Sequence, residues 1–278
     1  MHRRRRSDGD CRRTHLSASV LRSIEGGVGR ITLNRPEKRN ALDRATIGAL
    51  TAELEQCAAD PAVRVVLITG AGAAFCAGAD LAEMQAQADA NEADNLADAR
   101  RLASMLAQLD SSPKPTIARV NGDGYGGALG LLGACDIVVA ADTAKFAFTE
   151  VRLGIVPAVI SPFVLAKIGE SAARRYFLTA ETLSAMTLKK LGLVHEVVAA
   201  PQLDDACASL TQSLLKGAPL ALAEAKSLIR DMAHRSALDR PAAALDMAAR
   251  LARLRVAPEA REGFSAFFAK RKAGWRTD

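Results

Sequence analysis

Apolar and polar positions change period along this chain, and the changes mark its elements. Residues 20–24 and 28–33 are two β-branched runs on either side of Glu25-Gly26-Gly27, the pattern of a hairpin. Asp43 opens a stretch with Ile47, Leu50 and Leu54 on one helical face, and Asp60-Pro61 ends it, so a helix is expected to about Ala59. Residues 63–69 are apolar apart from Arg64 and Thr69, as in a strand buried on both faces, and run into Gly70-Ala71-Gly72. An alanine-rich helical stretch is expected over 81–109. Ser112-Pro113-Lys114-Pro115 then leads to a strand at 116–120, a glycine turn, a short helix to about Cys135 and a strand at 137–140.

Strands therefore alternate with helices to about residue 200. From Leu203 the pattern is helical, with Pro201, Pro219 and Pro241 near the breaks. No Gly/Ser/Pro-rich linker divides the chain, so one α/β core with a helical C-terminal appendage is expected. Strand–strand–helix units recur without a fixed period.

Composition narrows the function classes. The 278 residues are 49% apolar, enough for a substantial core, which excludes a disordered protein. Of the net charge of +6, a surplus of four lies in residues 1–13, where six arginines face Asp8 and Asp10. The balance of the rest argues against a nucleic-acid-binding face, and residues 1–15 are expected to be a disordered basic tail. Five cysteines (Cys11, Cys57, Cys76, Cys135 and Cys207) without a CxxC pair indicate neither a disulfide framework nor a zinc site. No apolar run reaches the ~20 residues of a membrane span, because the greasiest, 129–141, contains Asp136. The arginines precede no apolar signal region, and Asp8 and Asp10 weigh against a transit peptide, so a cytoplasmic location is expected.

Two glycine turns carry the candidate chemistry. Gly122-Asp123-Gly124-Tyr125-Gly126-Gly127 is a literal GxGxxG between a strand and a helix, with Asp142 near the place of a ribose-binding acid. Against a dinucleotide site stand the short helix that follows, the mid-chain position, the absence of a YxxxK pair and the second turn at Gly70-Ala71-Gly72. The alternative treats both turns as one site. Ala77-Gly78-Ala79-Asp80 and Gly126-Gly127-Ala128 each begin a helix, where backbone N–H groups lack partners and the dipole is positive. Two such N–H groups around one oxygen form an oxyanion hole; the plainer reading is that the glycines only permit tight turns.

Taken together, Asn34-Arg35-Pro36, Lys38-Arg39-Asn40-Ala41-Leu42, the run from Gly70 through Phe75-Cys76-Ala77-Gly78-Ala79-Asp80-Leu81, Asn121-Gly122 to Gly127, and Ala134-Cys135-Asp136-Ile137 resemble the enoyl-CoA hydratase/isomerase (crotonase) superfamily. The resemblance spans about residues 18–275. It implies an α/β fold, a ClpP-like spiral of ββα units over 16–202, and a helical trimerisation region over 203–278. It also implies an acyl-CoA thioester substrate, no separate cofactor because coenzyme A arrives with the substrate, and a homotrimer or hexamer, while cysteine spacing, apolar-run length and charge balance lead to the expectation of no metal, no membrane and no nucleic-acid partner. The N–H groups of Ala79 and Gly127 would hold the thioester oxygen. Lys38, Ala41, Asp80, Leu81, Ala82 and Gly126 would line the substrate and coenzyme A path, and Phe267 and Lys270 would close over the coenzyme A of a neighbouring subunit. For the last pair, an amphipathic helix packed in an oligomer is the plainer alternative.

The catalytic carboxylates match only in part. Hydration of an unsaturated thioester requires a base for water and an acid for Cα. His2 and His15 lie in the tail, and His195 and His234 lie outside the glycine turns, so structural roles are expected for the latter two. The run Phe146-Ala147-Phe148-Thr149-Glu150-Val151-Arg152-Leu153-Gly154 puts Glu150 at the place of the family's second catalytic glutamate. The place of the first holds Gly130. Three outcomes stay open: Glu150 makes both proton transfers, Asp123 or Glu83 supplies another acid, or the reaction is not simple hydration but a Δ3,Δ2 double-bond isomerisation. The segments from Glu150 to Pro162, from Ala173 to Glu181 and from Leu191 to Val197 resemble bacterial methylglutaconyl-CoA hydratase-type proteins, which often carry Gly at the Gly130 place. That narrower resemblance implies a branched enoyl-CoA with its own carboxylate, for which Arg152 and Lys145 are the candidate cations. A non-catalytic acyl-CoA- or RNA-binding protein is the alternative from another class.

Overall fold

In a computed structural model, residues 18–233, 235–236 and 239–276 are described. The basic tail, with His2, Cys11 and His15, lies outside them, as does His234. Strands β1 (Val20–Glu25) and β2 (Val28–Leu33) form the expected hairpin, with Val20 paired to Leu33 and Glu25 to Val28. Strands β3 (Val65–Gly70), β4 (Thr116–Val120), β6 (Ile137–Ala141) and β9 (Glu196–Val198) extend it in parallel, giving a six-stranded sheet in the order β1-β2-β3-β4-β6-β9. A second sheet joins β5 (Gly124–Tyr125), β7 (Lys145–Ala147) and β8 (Leu183–Ser184).

The largely apolar strands have the expected cause. β3 is buried at every position, and helices cover the sheet. Helix α1 (Arg44–Ala59) starts where Asp43 accepts the Thr46 N–H at 2.7 Å. One expectation changes: the helix over 81–109 is two helices, α2 (Leu81–Asp89) and α3 (Glu92–Ser111). Asn91 ends the continuity by capping α3 through the Asp94 N–H, a local hydrogen bond that competes with helix propagation. Buried Met105, Leu106 and Leu109 of α3 join α1 and the core.

Helix α4 (Gly127–Ala134) is buried from Ala128 onward, against α5 (Ser161–Thr179). After α6 (Ala185–Leu191) the chain is helical in α7 (Leu203–Leu215), α8 (Pro219–Ala233), α9 (Arg240–Arg255) and α10 (Pro258–Phe268). Pro219 begins α8, and Pro241 lies in the first turn of α9. The last helices are tied back. Glu259 accepts the Leu220 and Ala221 N–H groups at the start of α8, and Arg64 donates to the carbonyls of Trp275 and Gly217. No described helix is long and apolar enough to cross a membrane.

Candidate active site

Parallel strands deliver their C-terminal ends to one edge, and the two glycine turns meet there. A methyl group on Gly122 would lie 1.9 Å from the Ala73 carbonyl oxygen, and one on Gly70 would lie 2.4 Å from that of Phe75. These glycines are therefore needed because the turns pack backbone to backbone. Asn121 joins them as well, accepting the Gly70 N–H at 3.2 Å and donating to the Gly72 carbonyl at 2.9 Å. Buried Asn40, with a left-handed φ of 58°, donates to the carbonyls of Ala71 and Ala74. This packing argues against a GxGxxG pyrophosphate cradle, because Gly122 is closed by the Ala73 carbonyl of the neighbouring loop and Gly124 faces the Phe146 ring.

The start of α2 is set by an ion pair. Asp80 is buried; it accepts Arg35 Nη2 at 2.9 Å and caps the Ala82 N–H at 2.9 Å. Burial works to raise its carboxyl, yet the Ala82 N–H and Arg35 together hold it below the usual carboxylate value. Arg35 also pairs with Asp43 and donates to the Ala41 carbonyl. The backbone of Leu42 bonds Gly78 and Asp80 on either side of Ala79, leaving the Ala79 N–H outside the ladder. Gly127 begins α4, and the first N–H of a helix has no partner within it. Among the described residues neither N–H has an acceptor. A methyl on Gly78 (φ 86°) would lie 3.6 Å from the Gly127 nitrogen, so the two helix starts are adjacent.

Glu150 faces them from the third turn. β7 runs parallel to β5, and the Gly126 N–H donates to the Ala147 carbonyl at 3.1 Å, so the segments leaving these strands remain side by side. Gly126 has φ 51°, and a methyl there would lie 3.4 Å from Glu150 Oε1. Oε2 is buried without a hydrogen-bond partner, and burial raises the carboxyl above its ordinary value. Phe148, packed 4.7 Å from Phe177, anchors the strand end that carries Glu150.

No second acid occupies the place of Gly130. A methyl there would lie 2.5 Å from Ile160 Cγ2 and 3.0 Å from Leu106 Cδ1, so the space is filled by hydrocarbon. The other two acids are committed elsewhere. Asp123 accepts the Tyr125 hydroxyl at 3.1 Å and the Lys145 N–H at 2.9 Å, and Glu83 faces the Arg44 N–H at the start of α1. Ala79, Leu81 and Ala82 are exposed at the α2 start, Ala41 is buried behind it and Lys38 is exposed nearby in sequence. Phe267 and Lys270 are exposed on and after α10; Phe267 stacks edge-on against Phe268, and Lys270 takes a left-handed φ of 53°. Next to Lys270, Arg271 is paired with Glu262. His195 is structural: its Nδ1 accepts the Val138 N–H at 3.0 Å.

The roles of Arg35 and Asn40 have no local signal in the sequence, because a pair such as Arg35 and Asp80 lies 45 residues apart. For Thr149 the signal is its place directly before Glu150.

The fold is the crotonase fold: an enoyl-CoA hydratase crystal structure from Shewanella pealeana superimposes with a TM-score of 0.88 at 38% identity, covering 92% of this chain and 96% of that one. The family model for enoyl-CoA hydratase/isomerase matches residues 23–278. The chain belongs to the enoyl-CoA hydratase/isomerase family. It is 37% identical to the 2,3-dehydroadipyl-CoA hydratase of Escherichia coli (87% of this chain, 92% of the relative). It is likewise 37% identical to the hydroxycinnamoyl-CoA hydratase-lyase of Pseudomonas fluorescens (75% of this chain, 76% of the relative).

Proposed function

We propose that this chain is an enoyl-CoA hydratase that adds water across the α,β double bond of an acyl-CoA with Glu150 as the sole acid–base group. The observation that carries this reading is the Glu150 carboxyl beside Gly126, half-buried and opposite two unpaired helix-start N–H groups. The N–H groups of Ala79 and Gly127 hold the thioester oxygen and stabilise the negative charge it gains. Glu150 as carboxylate takes one proton from water while the water oxygen bonds to Cβ and the double-bond electrons move to the thioester oxygen. The thioester enolate then collapses, and Cα takes the same proton from Glu150. One water is consumed, its hydrogens ending on Cα and on the new hydroxyl, and Glu150 is regenerated. A carboxyl raised by burial is suited to both transfers near neutral pH.

Lys38, Ala41, Asp80, Leu81, Ala82 and Gly126 line the substrate and coenzyme A path in this reading, and no separate cofactor is required. Phe267 and Lys270 complete the site of a neighbouring subunit in a homotrimer or hexamer; the exposed Phe264, Phe267 and Phe268 on α10 support such packing. The assignment of residues 16–202 as catalytic core and 203–278 as assembly region, and a cytoplasmic location, belong to the same reading. The substrate is 3-methylglutaconyl-CoA or a related branched enoyl-CoA bearing a carboxylate. A relative named for 2,3-dehydroadipyl-CoA supports an acidic acyl group, and exposed Arg152 and Lys145 are the cations for it.

The test is loss of conjugated enoyl absorbance when the protein meets 3-methylglutaconyl-CoA or crotonyl-CoA, and its abolition in Glu150→Gln. Turnover of crotonyl-CoA alone removes the narrower substrate. A second reading, Δ3,Δ2-isomerisation, is favoured by the hydrocarbon at Gly130, because moving a double bond needs one base and no water. Gain of conjugation from a 3-enoyl-CoA without hydration would establish it.

A further inference from the structure

A single carboxylate can take a proton from water, but it does not by itself fix where the water sits. In this chain the space at Gly130 is closed by Ile160 and Leu106, and Asp123 and Glu83 bond elsewhere. A polar side chain that does stand beside the Glu150 carboxyl is Thr149. Its Oγ1 lies 3.9 Å from the point above Gly126 that is 3.4 Å from Glu150 Oε1, so hydroxyl and carboxyl face the same side of that glycine.

The Thr149 hydroxyl is also unused. Thr149 stands at the N-cap of the 3-10 helix Glu150–Leu153, where a threonine ordinarily accepts a backbone N–H through its side chain. Here its backbone is helical (φ −90°, ψ −6°), the side chain makes no capping bond, and among the described residues it has no other partner. It is half-buried, and a hydroxyl at such a position ordinarily finds a partner.

We infer that the Thr149 hydroxyl is the second ligand of the attacking water and takes the positioning role that a second carboxylate would otherwise fill. This inference rests on the hydratase reading of the site. Thr149 accepts one hydrogen of the water while Glu150 receives the other, which aims an oxygen lone pair at Cβ. Its hydroxyl neither gains nor loses a proton over the cycle, so the balance of the reaction is unchanged.

Thr149→Val keeps the shape and removes the hydroxyl, and Thr149→Ser keeps the hydroxyl. Each is assayed for hydration and for Glu150-dependent exchange of the Cα hydrogens of a saturated acyl-CoA in deuterium oxide, which needs the carboxyl and the N–H pair but no added water. The expected result is a fall in hydration kcat of about 10- to 100-fold in Thr149→Val, the size of a lost hydrogen bond to a reacting group. KM and the exchange rate should stay within about twofold, and Thr149→Ser should stay within about threefold of the parent. Hydration in Thr149→Val within threefold of the parent overturns the inference, as does an equal loss in both variants or a loss shared by the exchange reaction. If the parent hydrates no enoyl-CoA while exchanging Cα hydrogens, the hydratase reading fails and this inference with it; a parent that hydrates isolates the role of Thr149.

Discussion

Ile160 closes the space over Gly130: its Cγ2 lies 2.5 Å from where a β-carbon on Gly130 would stand, with Leu106 Cδ1 at 3.0 Å. A side chain cannot be placed at this position without displacing Ile160 or Leu106. Gly130→Glu is expected to destabilise by ~3 kcal/mol or more, from overpacking together with a carboxylate buried among apolar atoms. It should not raise turnover. Urea denaturation and a hydration assay check both outcomes.

Glu150→Gln is expected to lower turnover by about 10²- to 10⁴-fold, the range for loss of a general acid–base group. Burial raises the Glu150 carboxyl in the folded chain, so folding binds a proton at pH values above the carboxyl's unfolded value. Stability from this group therefore falls as pH rises through the folded value, and the ionised form is a cost at neutral pH. The amide removes that cost, and Tm at pH 7 should rise by about 2–4 °C. A lower Tm in Glu150→Gln would show that the carboxylate is stabilised by contacts other than those described.

Arg35→Met leaves the buried Asp80 carboxylate without its cation, and breaking such a pair from one side costs about 3–5 kcal/mol. Because Asp80 also caps α2, the Ala79 N–H should lose its fixed direction and kcat should fall with the stability. Arg35→Met/Asp80→Asn, which removes both charges, should recover most of the stability. Chemical denaturation of the single and double variants gives the coupling.

His195 accepts the Val138 N–H through Nδ1 and must be neutral to do so. Burial, aided by Lys167, lowers its pKa below the ordinary histidine value of 6.5. A depressed histidine contributes stability that is present above the unfolded value and is lost as pH falls toward the folded one. Denaturation midpoints should therefore decline below about pH 6.5. His195→Asn, whose Oδ1 can stand in for Nδ1 without titrating, should flatten the decline.

Much of the frame was legible because local patterns carry it. The hairpin at Glu25-Gly26-Gly27, the Asp43 cap and strand β4 lie where turn chemistry, capping and apolar period put them. The division of 81–109 has no apolar signature: it rests on the Asn91 side chain capping the Asp94 N–H, a local hydrogen bond that an alanine-rich helical pattern does not reveal. In the site, Glu150 and the two helix starts could be named from motif resemblance. The nearness of Gly126 to Oε1 could not, since it depends on the pairing of β5 with β7.

Periodicity, caps and glycine turns, all governed by neighbours along the chain, determined the order of strands and helices and pointed to one carboxylate and two turns. Only the tertiary structure decided that the turns pack backbone to backbone, that Arg35 answers Asp80, that hydrocarbon from Ile160 fills the place of a second acid and that the Thr149 hydroxyl is left beside Glu150. Those relations join residues up to 51 positions apart through close packing, and the distance between such residues is set by every element between them.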